Sequence, residues 1–402
     1  MVPSQFDAAE TCDVFVVGAG LAGLAAAIGF SRAGRRVISA GATERLGQGR
    51  TVALLGPSVD FLDQLGVWPA VESRAAPMRG LRIVDDTGSL FAPPPVEFRA
   101  REIGRDAFGW NVENSALADA LEAAAAAQPD LIRVTTNVAG FDFATGRATL
   151  TLADGRVFAA ALVVGADGRA SPSRRAAGIA VYVRRYPQSA LTVVLAHARP
   201  HDDVSTEFHT RQGPFTLVPL PAAPGALHRS SLVWTMSEAE AKRRAALDGA
   251  ALAAEIERQA RSLLGAMRIE GERGIVPLAR QSVSRPAATR LALVGDAAHA
   301  FPPIGAQGLN LGLRDVKALI AATRASDDVG ADDALDRYAA RRAADVAFRT
   351  AAVAGLNRSL LADCAPVDLA RGLGLAALGA IGPLRRLTMR EGVGPLFADA
   401  RV

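Results

Sequence analysis

The run Asp13–Val17, DVFVV, followed at once by Gly18-Ala19-Gly20-Leu21-Ala22-Gly23, constrains this chain more than any other stretch. The apolar run reads as a buried strand. Leu24 to Ser31 are helix-formers with an apolar face, and Arg36–Ser39 returns as a second strand. In a βαβ unit the GxGxxG pattern marks a dinucleotide-binding turn. Gly18 makes the tight turn, Gly20 lets the backbone approach a pyrophosphate, and Gly23 lets the helix pack on the strand. One expected residue is missing. A carboxylate should end the second strand and hold the ribose hydroxyls, yet Ala40 and Gly41 stand there, and Glu44 is the nearest acid. Either Glu44 reaches back, or other groups hold the adenosine ribose; the second reading is preferred.

A second stretch, Arg290–Asp315, reads RLALVGDAAHAFPPIGAQGLNLGLRD. A short strand, Leu291–Val294, runs into Gly295-Asp296. A Pro/Gly loop over Phe301–Gln307 follows, and a helix is predicted to start near Gly308. Pro302 and Pro303 stiffen the loop and Gly305 frees it, so a flat ligand could lie against it. Backbone N–H groups at the helix start, around Gly308, Leu309 and Asn310, suit a group that gains negative charge. A third stretch, Ala161–Val164, meets Gly165-Ala166-Asp167-Gly168-Arg169. It places a carboxylate at a strand's carboxyl end, where ligands of open α/β sheets bind.

Between these stretches the pattern changes. Pro57-Ser58 opens a helix, Leu81–Phe91 reads as a hairpin around Asp86-Thr87-Gly88, and Pro93-Pro94-Pro95 is a stiff connector. Asn114–Ala127 reads as an Ala-rich helix capped by Asn114 or Ser115. Leu191–His197, Ser205–Thr210, Phe215–Leu220 and Leu227–Thr235 read as strands, and Glu238–Met267 as a helical stretch. The chain is mostly helical after Asp315.

The fold class predicted is α/β (α+β): a Rossmann-like cofactor domain, an inserted antiparallel-sheet substrate domain and a C-terminal helical region. The cofactor domain is expected over residues 1–75, 96–180 and 285–325. The substrate domain is expected over 76–95 and 181–284, and the helical region over 326–402.

Composition narrows the function classes. The charge is only +4, with 45 Lys and Arg against 41 Asp and Glu, and no basic block interleaved with aromatics appears, so nucleic-acid binding is not expected. Cys12 and Cys364 form no recognisable disulfide framework, which fits a reducing compartment. The N-terminus shows no basic and apolar signal pattern, and no apolar run reaches the roughly 18–20 residues of a spanning helix. A cytoplasmic protein is expected, with a peripheral contact at the inner membrane left open. His197, His201, His209 and His228 share no metal-binding spacing.

GAGLAG, GADGR and GDAAH, in that order, resemble the flavin-dependent aromatic hydroxylases with the para-hydroxybenzoate hydroxylase fold. A closer resemblance is to the ubiquinone-biosynthesis hydroxylases of that family. It rests on GDAAHAFPPIGAQGLNLGLRD, TVALLGPSVDFLDQLGVW, TEFHTRQGPFTLVPL and the tail GLGLAALGAIGPLRRLTMREG. Ala306 departs from the Gly more usual in that family.

The resemblance implies an FAD-dependent monooxygenase that uses NAD(P)H and O2 to hydroxylate the ring of a polyprenyl phenol through a hydroperoxide of the reduced flavin. It implies cofactor-binding roles for Gly18, Gly20, Gly23, Arg50, Asp167, Gly168, Gly295, Asp296, Pro303, Gly305, Gln307, Gly308, Leu309 and Asn310. Arg50 is expected near the pyrophosphate and Asp296 on the ribityl chain.

No catalytic acid–base pair is evident, and His299 reads as a packing or hydrogen-bonding residue under the loop. Alternative readings are a hydroxylase of a small soluble aromatic or secondary metabolite, and a non-catalytic flavoprotein subunit of a biosynthetic complex. The stripe Leu373–Arg386, apolar with a basic end, reads as core, as a peripheral membrane contact, or as a contact within a quinone-biosynthesis complex.

Overall fold

Strand runs that are apolar on both faces build a mostly parallel sheet, because such strands must be covered on two sides. In the computed structural model, which describes residues 9–42, 50–90, 92–302, 307–362 and 365–393, Glu10–Val17 lies inside that sheet. It pairs in parallel with Val37–Ala40 on one side and Val157–Gly165 on the other. Leu131–Val134 and Leu291–Leu293 extend the sheet in the same sense on the two sides. Ala148–Leu152 and Val138–Phe143 branch from Val157–Gly165 as antiparallel strands.

One face of this sheet is covered by α1 (Leu21–Arg32), with α2 (Gly56–Gln64) and α3 (Asn114–Ala126) beside it. Glu113, not Asn114 or Ser115, takes the N-cap position of α3, and no side chain caps that end. The Arg50 carbonyl accepts from the Asn114 N–H instead, at 2.9 Å. The other face packs a second apolar cluster around Phe15, Phe158 and Leu291. A short helix, α4 (Pro172–Ala176), follows the GADGR turn.

The second sheet is long-stranded. Its order is His299–Ala300, Met267–Val283, Val181–His197, Arg229–Ser237, Gly213–Leu220, Val204–Thr210, Gly80–Asp85 and Val96–Arg99. Neighbours are antiparallel except Val204–Thr210 with Gly80–Asp85. Helices α5 (Glu238–Ala245) and α6 (Gly249–Gln259) cover one face around Leu191, Phe215 and Trp234. A small third sheet joins Thr51–Leu55, Gly109–Glu113 and Ala75–Met78.

Two local expectations are corrected here. The hairpin does not fold back within Leu81–Phe91; the antiparallel partner of Gly80–Asp85 is Val96–Arg99. Pro93 to Pro95 cannot donate ladder hydrogen bonds, so they fall in the connection, and the large sheet continues past residue 95. The helical reading of Glu238–Met267 holds for α5 and α6 but not for its end. Asp248 accepts from the Ala251 N–H at 2.8 Å and starts α6 afresh, and Met267 already belongs to a 17-residue strand.

The chain then re-enters the first layer through α7 (Gln307–Thr323) and α8 (Asp332–Leu361). The described residues end in α9 (Ala365–Ala380) and α10 (Gly382–Val393), which pack Leu375, Met389 and Val393 against Val96, Phe98 and Phe108. Arg371 ties α9 to Asp85 at 3.1 Å, and Arg385 ties α10 to Glu102 at 2.7 Å.

Candidate active site

Three motifs far apart in the chain meet at neighbouring carboxyl ends of one sheet. Val17 is in register with Gly165, and Gly165 with Leu293. The GAGLAG, GADGR and GDAAH turns therefore leave adjacent parallel strands on the same edge, where an open α/β sheet holds its ligand. Ala166 N donates to the Val17 carbonyl at 2.8 Å and Val294 N to the Gly165 carbonyl at 3.0 Å, so the turns are stitched to one another.

The glycines divide into two kinds. At Gly18, with φ +112°, an added Cβ would lie 2.4 Å from the Ala166 carbonyl oxygen; at Gly23 it would lie 2.1 Å from that of Gly18. Those two positions let strand, turn and helix close on each other. Around Gly20, Gly168 and Gly308 a Cβ would meet no atom of the described residues within 4 Å. There the bare backbone faces open space, as the approach of a dinucleotide requires. Gly20 is the N-cap of α1, whose first N–H groups have no carbonyl within the helix and suit a pyrophosphate. These residues fit FAD.

Gly295, with φ +59°, stands where α1 and α7 converge: its Cα lies 3.2 Å from where a Cβ on Gly312 would be, and Ala22 lies close by. Its N–H donates to Asp315 Oδ2 at 2.9 Å. Asp296 is half-exposed and pairs with Arg169 Nε at 3.2 Å, so the second and third motifs carry opposite charges toward each other. Asp167 is turned inward. It accepts from Ser171 Oγ at 2.5 Å and from the Ser173 N–H at 2.9 Å, which braces the turn ahead of α4.

α7 begins at Gln307, one residue before the predicted start, and Gly308 and Leu309 lie in its first turn. The Asn310 side chain turns away from the ligand edge. Buried, it donates from Nδ2 to the Ala53 carbonyl and accepts from the Leu55 N–H, both at 2.8 Å, and so fastens α7 to the strand Thr51–Leu55. Arg50 is exposed just before that strand. Pro303, Gly305 and Glu44 lie outside the described residues, as does the side chain of Gln307.

Sequence reasoning missed the support beneath this edge. His299 is buried with Nε2 2.7 Å from Asp315 Oδ2, which agrees with a packing and hydrogen-bonding role. Asp315 also receives Arg342 Nε of α8 at 2.6 Å. Arg342 continues to Asp345 at 2.7 Å, and Asp345 to Arg349 at 2.9 Å and Arg314 at 3.3 Å. Burial alone would raise the Asp315 carboxyl, but His299 and Arg342 outweigh it and hold it below the usual range. Asp345 is likewise brought down to about 2, its arginines overcoming burial. Burial pushes the Arg314 guanidinium down to about 10, with Arg349 adding to the effect.

Arg174 was also missed. It is buried, and it bridges the Ala297 and Arg169 carbonyls at 2.8 Å each, binding the second motif to the third. The signal available in sequence was faint: Arg342, Asp345 and Arg349 recur at helical spacing, which also describes a solvated face.

Comparison with known proteins agrees with this geometry. The FAD binding domain family model matches residues 11–352. The chain is 36% identical to the ubiquinone hydroxylase UbiL of Rhodospirillum rubrum, over 98% of this chain and 92% of that protein. It is 32% identical to the 3-demethoxyubiquinol 3-hydroxylase of Escherichia coli, over 96% of this chain and 99% of that one. Among solved structures it resembles the p-nitrophenol 4-monooxygenase of Pseudomonas putida, with TM-score 0.78, 21% identity, and coverage of 98% of this chain and 100% of that one. It also resembles Klebsiella pneumoniae HpxO complexed with FAD and uric acid, with TM-score 0.74, 19% identity and 96% of both chains covered. With its motifs gathered on one sheet edge and these likenesses running along nearly its whole length, the chain belongs to the FAD binding domain family and is an FAD-dependent aromatic monooxygenase.

Proposed function

We propose that this chain hydroxylates the aromatic ring of a polyprenyl phenol in ubiquinone biosynthesis, with NAD(P)H and O2 as co-substrates and a peripheral contact at the inner membrane. The observation that carries the reading is the meeting of GAGLAG, GADGR and GDAAH on adjacent strand ends. The likeness to two ubiquinone-pathway hydroxylases along almost the full chain supports the substrate class.

FAD, when bound, supplies the redox chemistry and the activation of oxygen. The chain's own groups bind and orient. The open backbone at Gly20 and the first turn of α1 receive the pyrophosphate, with Arg50 as a further cation beside it. Asp296 would hold the ribityl hydroxyls in place of its exposed Arg169 partner; a half-exposed ion pair is worth at most about 1 kcal/mol, so the exchange would cost little. The positive end of α7, at Gly308 and Leu309, would supply backbone N–H groups to a negatively charged part of the cofactor. Pro303, Gly305 and Gln307 are assigned to the ring's flank from the motif.

The test is a deletion strain examined by mass spectrometry of its quinone precursors. The reading predicts accumulation of a polyprenyl phenol lacking one ring hydroxyl, relieved by the intact gene. A normal quinone profile in the deletion strain would contradict it.

A further inference from the structure

We infer that the outer face of α9 and α10 is a docking surface for an anionic lipid bilayer. The two helices have clearly separated faces. On α9, Asp368, Arg371, Gly372 and Leu375 turn inward at helical spacing, and on α10 Arg385, Met389 and Val393 do the same. The opposite faces carry Leu369, Leu373, Leu384 and Leu387, and the turn between the helices carries Ile381; all are between 39% and 61% exposed. Isolated exposed leucines need no explanation, but five large apolar side chains exposed on one helical elbow are more than scatter.

Charge selects the occupant. Asp368, the carboxylate of α9, is buried between Arg211 and Arg371, and Arg385 is matched by Glu102. Arg386 and Arg390 are exposed on α10 with no carboxylate partner among the described residues. Glu391, half-buried on α10, is the one further carboxylate described on these helices, so the patch is apolar with a net positive rim, the pattern of a helix lying in the headgroup region of anionic lipid. No single described helix is long and apolar enough to cross a membrane. The helices have 16 and 12 residues, about 24 and 18 Å, and bend by 102° at their junction, short of the roughly 30 Å hydrocarbon core. The inward faces are also committed to Val96, Phe98 and Phe108.

This inference rests on the polyprenyl-phenol reading for its purpose, since such a substrate resides in a bilayer. Its test does not depend on turnover. Full-length, FAD-loaded protein is sedimented with vesicles of phosphatidylcholine alone or mixed with phosphatidylglycerol. Binding to the mixed vesicles, weak binding to the neutral ones, and release on raising salt are expected. The double variant Arg386→Ala/Arg390→Ala should bind the mixed vesicles about tenfold to thirtyfold more weakly, on the order of what two juxtamembrane arginines contribute.

Leu373→Glu/Ile381→Glu/Leu387→Glu should abolish sedimentation while keeping its circular dichroism and its hydroxylation of a short-chain, water-soluble phenol. Vesicle binding that survives in both variants would overturn the inference. So would no binding to either vesicle, or self-association in solution that the triple variant removes, which would assign the face to a second copy of the chain. Loss of vesicle binding with retained turnover on the soluble phenol bears on the surface alone and leaves the catalytic reading standing.

Discussion

At the scale of single residues, the cofactor edge sorts side chains by whether they face the ligand or hold up the backbone that does. Asp296 is proposed as the former: it is half-exposed, and its partner Arg169 is exposed. Asp296→Ala should lower FAD affinity by about tenfold or more, the loss expected when a charged hydrogen-bond acceptor is removed. Fluorescence titration of apoprotein measures this, and an unchanged dissociation constant would remove Asp296 from the site. Gly23 is the latter.

Gly23→Ala places a methyl 2.1 Å from a backbone oxygen that cannot step aside cheaply, so it should cost about 1–3 kcal/mol of stability and release FAD. Gly20→Ala meets open space in the protein and should leave the fold intact while weakening FAD. Equal thermal stability of the Gly23 and Gly20 variants would contradict the division. The missing strand-end acid also has an explanation at this scale. A Cβ at Gly41 would lie 2.9 Å from Ala19 N, so the strand end approaches the Gly-rich turn too closely for a side chain. The sequence shows only that the acid is absent; the cause is a distance to a residue 22 positions earlier.

At the scale of elements, α7 and α8 meet through charge as well as apolar packing. Asp315 gathers the Gly295 N–H, His299 and Arg342, and Asp345 gathers three arginines. Both carboxyls are depressed in the folded chain. Their contribution is therefore complete above about pH 4, the ordinary carboxylate value, and is lost as pH falls, for Asp345 through about 2. Melting temperature followed from pH 6 to about 2 should fall steeply in its lower part, and less steeply in Asp345→Asn.

At neutral pH, Asp345→Asn should be destabilised by about 3–5 kcal/mol, because it strands buried guanidinium groups. An identical acid slope in variant and parent would show that the pairs contribute nothing. This layer was the least legible part of the chain. Apolar periodicity identified the strands and helices that carry the motifs. Charged residues at positions 342, 345 and 349 look the same whether they face water or a buried aspartate on another helix. Asn310 was read for its backbone, and only tertiary contact shows its side chain holding Ala53 and Leu55.

At the scale of the whole molecule, the support beneath the three-motif edge reaches the last described helix. Arg349 Nη2 and Arg314 Nη2 point to the carbonyls of Glu391 and Val393, each at 3.5 Å, so the carboxyl end of α10 rests on the same charged layer that carries Asp315. Removing α10 by ending the chain at Ile381 should expose the Val96–Phe108 cluster and withdraw those acceptors. A fall in melting temperature of roughly 5 °C or more is expected, with weaker FAD retention, by calorimetry and flavin absorbance. Unchanged melting would make α10 an appendage.

The cofactor layer and the large antiparallel sheet were readable from motif order and strand pattern. Their junction was not, because it depends on a two-residue strand, His299–Ala300, pairing with Gln281 and Ser282. So short a segment has no period of its own.

The central claim is that this chain puts an oxygen atom from O2 onto an aromatic ring. The direct measurement is incubation of the FAD-loaded protein with NAD(P)H, a polyprenyl phenol and isotopically labelled O2, followed by mass spectrometry of the product. A ring hydroxyl carrying the label is expected, formed only when flavin, reductant and oxygen are all present. A protein that takes up no FAD, or a product whose new oxygen comes from water, would contradict it.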